Sequence, residues 1–268
     1  MPQSPAWFRR HFNEDYLLLY SGRSHEQARR EAGFVAKQLG LGPDDRVLDL
    51  CCGFGRHLEA LREHRVVAVG VDLSKSLLGV ARERLSQRDA PSPDLPRNEL
   101  VCADMRSLPF PDGTKDRDRS EGFDAIVSFF TSFGYFEDPA EHTRVAREMS
   151  RVLRPGGVFA LDLMNAQRTI RELVPHSSRE SGPYEIEEER QYDATRRRIE
   201  KSIQLKHRET GESKRYFESV RVFEEEEIRA LLSAAGLEIE SVFGDFDTCP
   251  FEAESPRMLL VGRKGDSV

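Results

Sequence analysis

Residues 46–57 read Arg46-Val47-Leu48-Asp49-Leu50-Cys51-Cys52-Gly53-Phe54-Gly55-Arg56-His57. An apolar run carrying one acid, Asp49, breaks at a turn with glycines at 53 and 55, and a helical pattern begins near Arg56. The expected local structure is a strand, a tight turn and a helix start. Such a junction aims backbone N–H groups and the positive end of a helix dipole at a polar ligand beyond the strand's carboxyl end. Glycine suits the turn because a Cβ would block that approach and a left-handed backbone must be allowed. A dinucleotide fingerprint needs a third glycine three residues after the second, and Leu58 stands there. The stretch therefore points to a nucleotide-type ligand, without NAD as the default, and leaves an NAD-dependent oxidoreductase as a distant alternative. Glycine turns after strands are also common in purely structural roles, so the flanking sequence must decide.

Downstream, a helix is expected over residues 56–63, and the continuous β-branched run 66–71 reads as a second buried strand ending at Asp72. Asp72 lies 23 positions after Asp49 (72 − 49), near the roughly 20 that separate a glycine turn from an acid binding ribose hydroxyls. An acid at a strand end also serves as a helix cap. Ser74 is better placed to cap the helix starting near Lys75, which leaves Asp72 for a ligand. That helix runs to about Arg88, and a loop carrying Pro91, Pro93 and Pro96 follows. Residues 99–103 form a third short strand ending at Asp104-Met105, and residues 111–122 read as a mobile surface loop.

A fourth strand, 123–129, is followed by Phe130-Thr131-Ser132-Phe133-Gly134-Tyr135-Phe136. Aromatics just past a strand's carboxyl end suit a flat ring and a cation, with core packing as the plain alternative. A helix opens at Pro139 and ends at Arg154-Pro155-Gly156-Gly157, and the fifth strand, 158–163, brings Asp162 and Asn165 to the same edge. Alternating strands and helices imply right-handed crossovers and a doubly wound parallel sheet, with ligands outside the carboxyl ends of its strands.

After Asn165 the pattern changes. Residues 184–192, 197–207 and 214–223 are three β-rich segments separated by turns, expected to form a small inserted antiparallel sheet. Their mixed charges favour a solvated face over a nucleic-acid surface, and the position suits a lid or a homodimer contact. A helix over 223–235 with an acidic first turn ends at Gly236. The last strands, 237–243 and 257–261, are joined by a loop and should be antiparallel. Upstream, residues 1–45 read as helical, with Trp7, Phe8, Phe12, Tyr16 and Tyr20 ahead of a charged helix. Four segments result: a helical cap over 1–45, a core over 46–165, an inserted β lid over 166–223, and completion of the core over 224–268.

A net charge of −7 disfavours a non-specific grip on nucleic acid. No apolar run approaches the roughly 18 residues of a membrane span, and residues 1–10 lack a signal-peptide core, so a cytoplasmic location is expected. The four cysteines, Cys51, Cys52, Cys102 and Cys249, include no C-x-x-C pair and read as free thiols, without a metal site.

In order and spacing, the glycine turn, Val71-Asp72-Leu73-Ser74, Ala103-Asp104-Met105, Phe123-Asp124-Ala125 and Leu153-Arg154-Pro155-Gly156-Gly157 resemble the class I S-adenosylmethionine-dependent methyltransferases of small-molecule type. The resemblance covers about residues 45–165 well and extends more loosely to 261. Each motif alone is a weak signal, and the five together are specific. The departure is Cys51, where the family usually places the first glycine of D-x-G-x-G-x-G.

The resemblance implies a Rossmann-like seven-stranded sheet with its last strand antiparallel, S-adenosyl-L-methionine as cofactor and S-adenosyl-L-homocysteine as product. It implies that Asp49, Cys51 and the Gly53 to Gly55 turn face the methionine portion, and that Asp72, with Leu73, binds the ribose. Asp104 should accept from the adenine amine with Met105 on the ring, and Phe129 and Phe130 should lie near the sulfonium. Tyr20 joins this set from the cap. Tyr16, Tyr135, Asn165, Asp245 and Asp247 are substrate-side candidates from position, while Tyr135 and His57 are the candidate catalytic groups. The activity implied is in-line methyl transfer to a nitrogen or oxygen of a small-molecule acceptor. Two other readings stand beside it: a non-catalytic cofactor-binding regulatory module and an RNA methyltransferase. Against the latter, residues 130–134 replace an Asn-Pro-Pro-Tyr-type tetrad.

Overall fold

The computed structural model describes residues 6–20, 22–88, 99–113 and 122–265. The proline loop at 91–96 and most of the loop expected over 111–122 lie outside the described residues. Three helices, α1 (Phe8–His11), α2 (Asp15–Leu19) and α3 (His25–Leu39), precede β1 (Arg46–Leu50), α4 (Arg56–Arg62), β2 (Val67–Asp72), α5 (Lys75–Arg88) and β3 (Glu99–Cys102). Next come β4 (Phe123–Ser128), α6 (Pro139–Val152), β5 (Leu153–Met164) and α7 (Ala166–Arg171). The insertion comprises β6 (His176–Ser181), β7 (Tyr184–Asp193), β8 (Arg198–His207) and β9 (Ser213–Arg221). The chain closes with α8 (Glu225–Ser233), β10 (Leu237–Phe243) and β11 (Arg257–Lys264).

The main sheet has the order β10-β11-β5-β4-β1-β2-β3. Its first five strands run parallel, and β11 pairs antiparallel with both β5 and β10. This is the seven-stranded arrangement expected from the sequence. Alternate residues of each strand point to opposite faces. Leu48, Leu50, Val69, Val71 and Ile126 pack with Met149 of α6 and Leu232 of α8, while Val47, Ala68, Ala125 and Val127 pack with Val35 of α3 and Leu61 of α4. Helices therefore cover both faces, and the crevice opens where β1 and β4 lie side by side and the chain turns outward in opposite directions.

The inserted sheet has four strands, in the order β6-β7-β8-β9, rather than the three expected. The missed strand, His176-Ser177-Ser178-Arg179-Glu180-Ser181, contains no apolar residue, so hydrophobic alternation could not reveal it. Pairing with β7 along its whole length holds it as an edge strand.

Two anchors fix this sheet to the rest. Leu19 of α2 buries against Ile186, Ile203 and Leu205. Arg198 of β8, only 3% exposed, crosses to the loop after β4. Its guanidinium donates to the carbonyls of Phe136 at 2.7 Å, Tyr135 at 3.0 Å and Gly134 at 3.2 Å, and to Ser219 Oγ at 2.7 Å. Burial pulls its pKa down to about 10, so it remains charged at neutral pH.

Arg198→Met keeps the stem of the side chain and removes every donor. Stranding the loop carbonyls beneath the sheet should cost roughly 3 kcal/mol. Urea unfolding checks this, and a loss below about 1 kcal/mol would show that the guanidinium is not the anchor.

Candidate active site

The turn after β1 is left-handed at Cys51, Gly53 and Gly55, with φ of 67°, 55° and 76°. Glycine accepts that conformation freely, whereas a cysteine pays about 1–2 kcal/mol. This is the physical meaning of the departure at Cys51, whose Sγ rests 3.6 Å from Met105 Sδ. A Cβ on Gly53 would meet nothing within 4 Å, because it would point into open space. One on Gly55 would come 3.0 Å from the Ala81 Cβ, so Gly55 lets α4 pack closely on α5.

Asp72 locks the turn from the end of β2. Its Oδ2 accepts the Gly53 N–H and its Oδ1 the Ser74 N–H, both at 2.8 Å. Ser74 Oγ accepts the Leu77 N–H at 3.1 Å and caps α5, as its position suggests. The Asp72 carboxylate thus both holds the backbone and keeps lone pairs for a ligand, and burial pushes its pKa up.

A cavity of about 340 Å³ opens above this turn. Cys51, Gly53, Asp72, Leu73, Asp104, Met105, Phe129 and Phe130 line it, together with Tyr16, Tyr135 and His57. Asp49 and Gly55 lie outside its wall. Asp49 is 1% exposed, and its Oδ2 has no hydrogen-bond partner. Burial and the neighbouring Asp72 carboxylate push the Asp49 pKa up to about 7. Asp104 is clamped by Arg106, whose Nε donates at 2.9 Å and Nη2 at 2.6 Å. Burial raises the Asp104 pKa, but those bonds more than offset it, leaving the carboxyl below its usual range.

A second cavity of about 270 Å³ adjoins the first and shares Phe12, Tyr16, Phe130 and Tyr135 with it. The inserted sheet supplies Ile199, Lys201, Glu218 and Val220 to its wall, and Tyr20 stands here rather than in the first cavity. Tyr20 donates to Glu218 Oε1 at 2.5 Å, and Lys201 Nζ lies 2.6 Å from Glu218 Oε2. Burial would raise the Glu218 pKa, yet Lys201 and His11 draw it down to about 2.

Three sequence candidates stand outside both cavities. The Asn165 amide donates to the carbonyls of Glu252, Ala253 and Ser255 at 3.0, 3.1 and 2.9 Å, fastening the loop before β11. Asp245 accepts the N–H groups of Asp247 and Cys249 at 2.8 and 3.1 Å, and Asp247 pairs with Arg30. His57 stacks on Phe129 with 3.8 Å between ring centroids, its Nε2 2.6 Å from Glu31. Burial pulls the His57 pKa down to about 4. Tyr135 packs against Trp7 and Phe12, and burial raises its hydroxyl pKa well above the ordinary value.

Two further features carry no sequence pattern. Phe130 and Thr131 are consecutive left-handed residues, with φ of 61° and 57°. Asp162 holds them: its Oδ2 accepts the Phe130 N–H at 2.7 Å and its carbonyl the Thr131 N–H at 2.8 Å. Arg257 ties Asp162 Oδ1 at 2.6 Å to Thr131 Oγ1 at 2.7 Å. Arg23, from the link before α3, stacks 3.2 Å over the Phe130 ring, and its Nη1 donates to Tyr16 at 2.9 Å. Its Nη2 is buried without a partner.

These residues fit S-adenosylmethionine. The orphaned Arg23 Nη2, on a side chain of the cavity wall, matches the carboxylate of its amino-acid tail, while the orphaned Asp49 Oδ2 lies behind the turn, outside that wall. Along the sheet edge in the order β4, β1, β2, β3 come Phe129, the glycine turn, Asp72 and Asp104.

Comparison with known proteins agrees. The model for the family described as a methyltransferase domain matches residues 47–157. Demethylmenaquinone methyltransferase of Corynebacterium urealyticum is 34% identical over 125 residues, which are 47% of this chain and 44% of that one. The chain thus spans less than half the length of that relative. The dTDP-3-amino-3,4,6-trideoxy-alpha-D-glucopyranose N,N-dimethyltransferase of Streptomyces venezuelae is 28% identical over 250 residues, covering 85% of this chain and 91% of the relative. The solved structure of a sugar N-methyltransferase from Streptoalloteichus sp ATCC 53650 superposes with a TM-score of 0.66 at 25% identity, covering 95% of this chain and 94% of that one. Residues 47–157 thus match a methyltransferase domain, and over nearly its whole length the chain shares the fold of the class I S-adenosylmethionine-dependent methyltransferases.

Proposed function

We propose that this enzyme methylates a nitrogen, rather than an oxygen, of a small-molecule acceptor seated in the inner cavity between the cap and the inserted sheet. When bound, S-adenosylmethionine supplies a methyl already activated by its sulfonium, so transfer is an in-line displacement that needs an aligned nucleophile about 3 Å away. Asp72 is assigned to the ribose hydroxyls, Asp104 and Met105 to the adenine, Asp49 and Arg23 to the methionine tail, and Phe129 and Phe130 to the sulfonium region. Tyr16 and Tyr135 belong to the wall common to donor and acceptor.

One observation carries the choice of nitrogen: neither candidate base near the shared wall is basic. His57 is held near pKa 4 and faces Glu31, and the Tyr135 hydroxyl stays protonated. A hydroxyl acceptor of high pKa wants a general base, whereas an amine brings its own lone pair. The N-methyltransferase names of two relatives support the same choice. Among the described residues no helix is long and apolar enough to cross a membrane. We place the enzyme in the cytoplasm, acting on small molecules rather than nucleic acid, and assign a homodimer contact to the inserted sheet, which light scattering would check.

Release of S-adenosylhomocysteine should be seen with a panel of amino sugars and not with the matching hydroxy sugars. Turnover of the hydroxy series alone would overturn the assignment.

Asp72→Asn keeps one acceptor for the turn and loses the ribose contact. Calorimetry should show S-adenosylhomocysteine binding weakened at least tenfold, about 1.4 kcal/mol. An unchanged dissociation constant would remove Asp72 from the ribose.

Asp49→Asn tests the buried acid through pH. With its pKa raised from 3.8 to about 7, folded Asp49 keeps its proton where the unfolded chain has lost it. Its contribution to stability therefore falls as pH rises from about 4 to about 7 and is flat above. The melting temperature of the Asn variant should exceed that of the parent by a margin that grows up to about pH 7 and then levels, while cofactor affinity drops. A margin independent of pH would contradict the raised pKa.

A further inference from the structure

The inner cavity does not end at the inserted sheet. Thr169, Leu173 and Arg190 line it and also line an outer groove of about 440 Å³, formed with Arg168, Glu172 and Ser177 between α7 and the start of the insertion. The groove therefore adjoins the inner cavity across these three side chains.

The charge along this path opposes that of the chain. The whole sequence carries −7. Inner cavity and groove together are lined by four cations, Arg168, Arg190, Lys201 and Arg257, and two carboxylates, Glu172 and Glu218. Lys201 is paired with Glu218 and Arg257 with Asp162, so these two hold the architecture. Arg190 gives its Nη1 to Ser177 Oγ at 2.9 Å and its Nη2 to Glu188, and Arg168 gives its Nε to Glu172 at 2.7 Å and its Nη1 to the Glu254 carbonyl at 3.0 Å. That leaves the Arg190 Nε and the Arg168 Nη2 outside these bonds, on side chains that both line the groove. Guanidinium forks suit carboxylate and phosphate oxygens, and a cleft with an excess of one charge concentrates the opposite one.

We propose that the acceptor is a two-part anion: its amine reaches the shared wall beside Phe130, and a phosphate or carboxylate group lies in the outer groove against Arg190 and Arg168. This rests on the reading of the inner cavity as the acceptor site. The opposite expectation, a cationic tail, would bring a positive charge against Arg190 and Arg168, whose carboxylate partners Glu188 and Glu172 are already engaged.

The test is calorimetric titration of the S-adenosylhomocysteine-loaded protein with inorganic pyrophosphate, with succinate and with the neutral 1,4-butanediol. At least one anion should bind tenfold or more tightly than the diol, and the better anion tells phosphate from carboxylate. Arg190→Gln should weaken that anion at least tenfold with the S-adenosylhomocysteine affinity unchanged. Arg168→Gln, on the more exposed side chain, should weaken it in the same direction and serves if the first variant misfolds. Anions that bind no better than the diol, or binding that neither variant alters, would overturn the proposal. Failure of S-adenosylhomocysteine itself to bind would instead count against the cofactor site and leave the groove to be judged on the anions alone.

Discussion

The buried guanidinium of Arg198 is the interaction on which the acceptor side of the molecule depends. Among the described residues it pairs with no carboxylate; its fork donates to the carbonyls of Gly134, Tyr135, Phe136 and Ser219 and to Ser219 Oγ. A planar fork reaches several carbonyls at once, which a lysine ammonium on a flexible stem does not reproduce. The loop it grips carries Tyr135, part of the wall between the two cavities, while β8 and β9 supply the opposite wall through Lys201 and Glu218. Fixing one against the other sets the width of the inner cavity. The sheet is therefore not a loosely hinged flap, and its register with the core is chemically specified.

The two turns at the switch point are built alike. After β1 the left-handed Cys51-to-Gly55 turn gives its Gly53 N–H to Asp72, at the end of the adjacent strand β2. After β4 the left-handed Phe130-Thr131 pair gives the Phe130 N–H to Asp162, on the adjacent strand β5. In each case a buried carboxylate on the neighbouring strand holds a backbone that sterics disfavour. Strain of this kind persists only where surrounding bonds over-determine it, and it gathers at functional sites. Here one strained turn borders the donor cavity and the other forms the partition toward the acceptor.

Largely apolar runs made the main sheet legible, because strands buried on both faces leave their pattern at residues 46–50, 67–71 and 123–128 even where Asp49 and Asp124 interrupt it. β6 was invisible for the opposite reason, since an edge strand without apolar residues is held by pairing alone. The cavity-lining residues on the glycine turn and at the ends of β2 and β3 were legible because backbone geometry brings them to the sheet edge. Asn165, Asp245 and Asp247 show the limit of the same logic: position at a strand end or loop places a residue near the edge but does not say where its side chain points. Asn165 points into the loop before β11, and Asp247 toward Arg30. Arg23 and the Phe130-Thr131 turn left no trace, because a lone arginine in a link and two ordinary residues after a strand carry no pattern until the chain is folded.

The electrostatics also bear on where the reaction's proton goes. A neutral amine that accepts a methyl group becomes an ammonium and must later lose a proton. Glu218, held near pKa 2 by Lys201 and His11, is too weak a base to take it at neutral pH, and His57 near 4 is little better. Asp49, at about 7, lies outside the cavity wall and adjoins the donor side rather than the acceptor side. On the proposed amine reading, the side chains of the inner cavity thus enclose the acceptor without competing for its lone pair. A site so organised raises the rate by holding the nitrogen in line and shielding it, and leaves deprotonation to solvent after transfer.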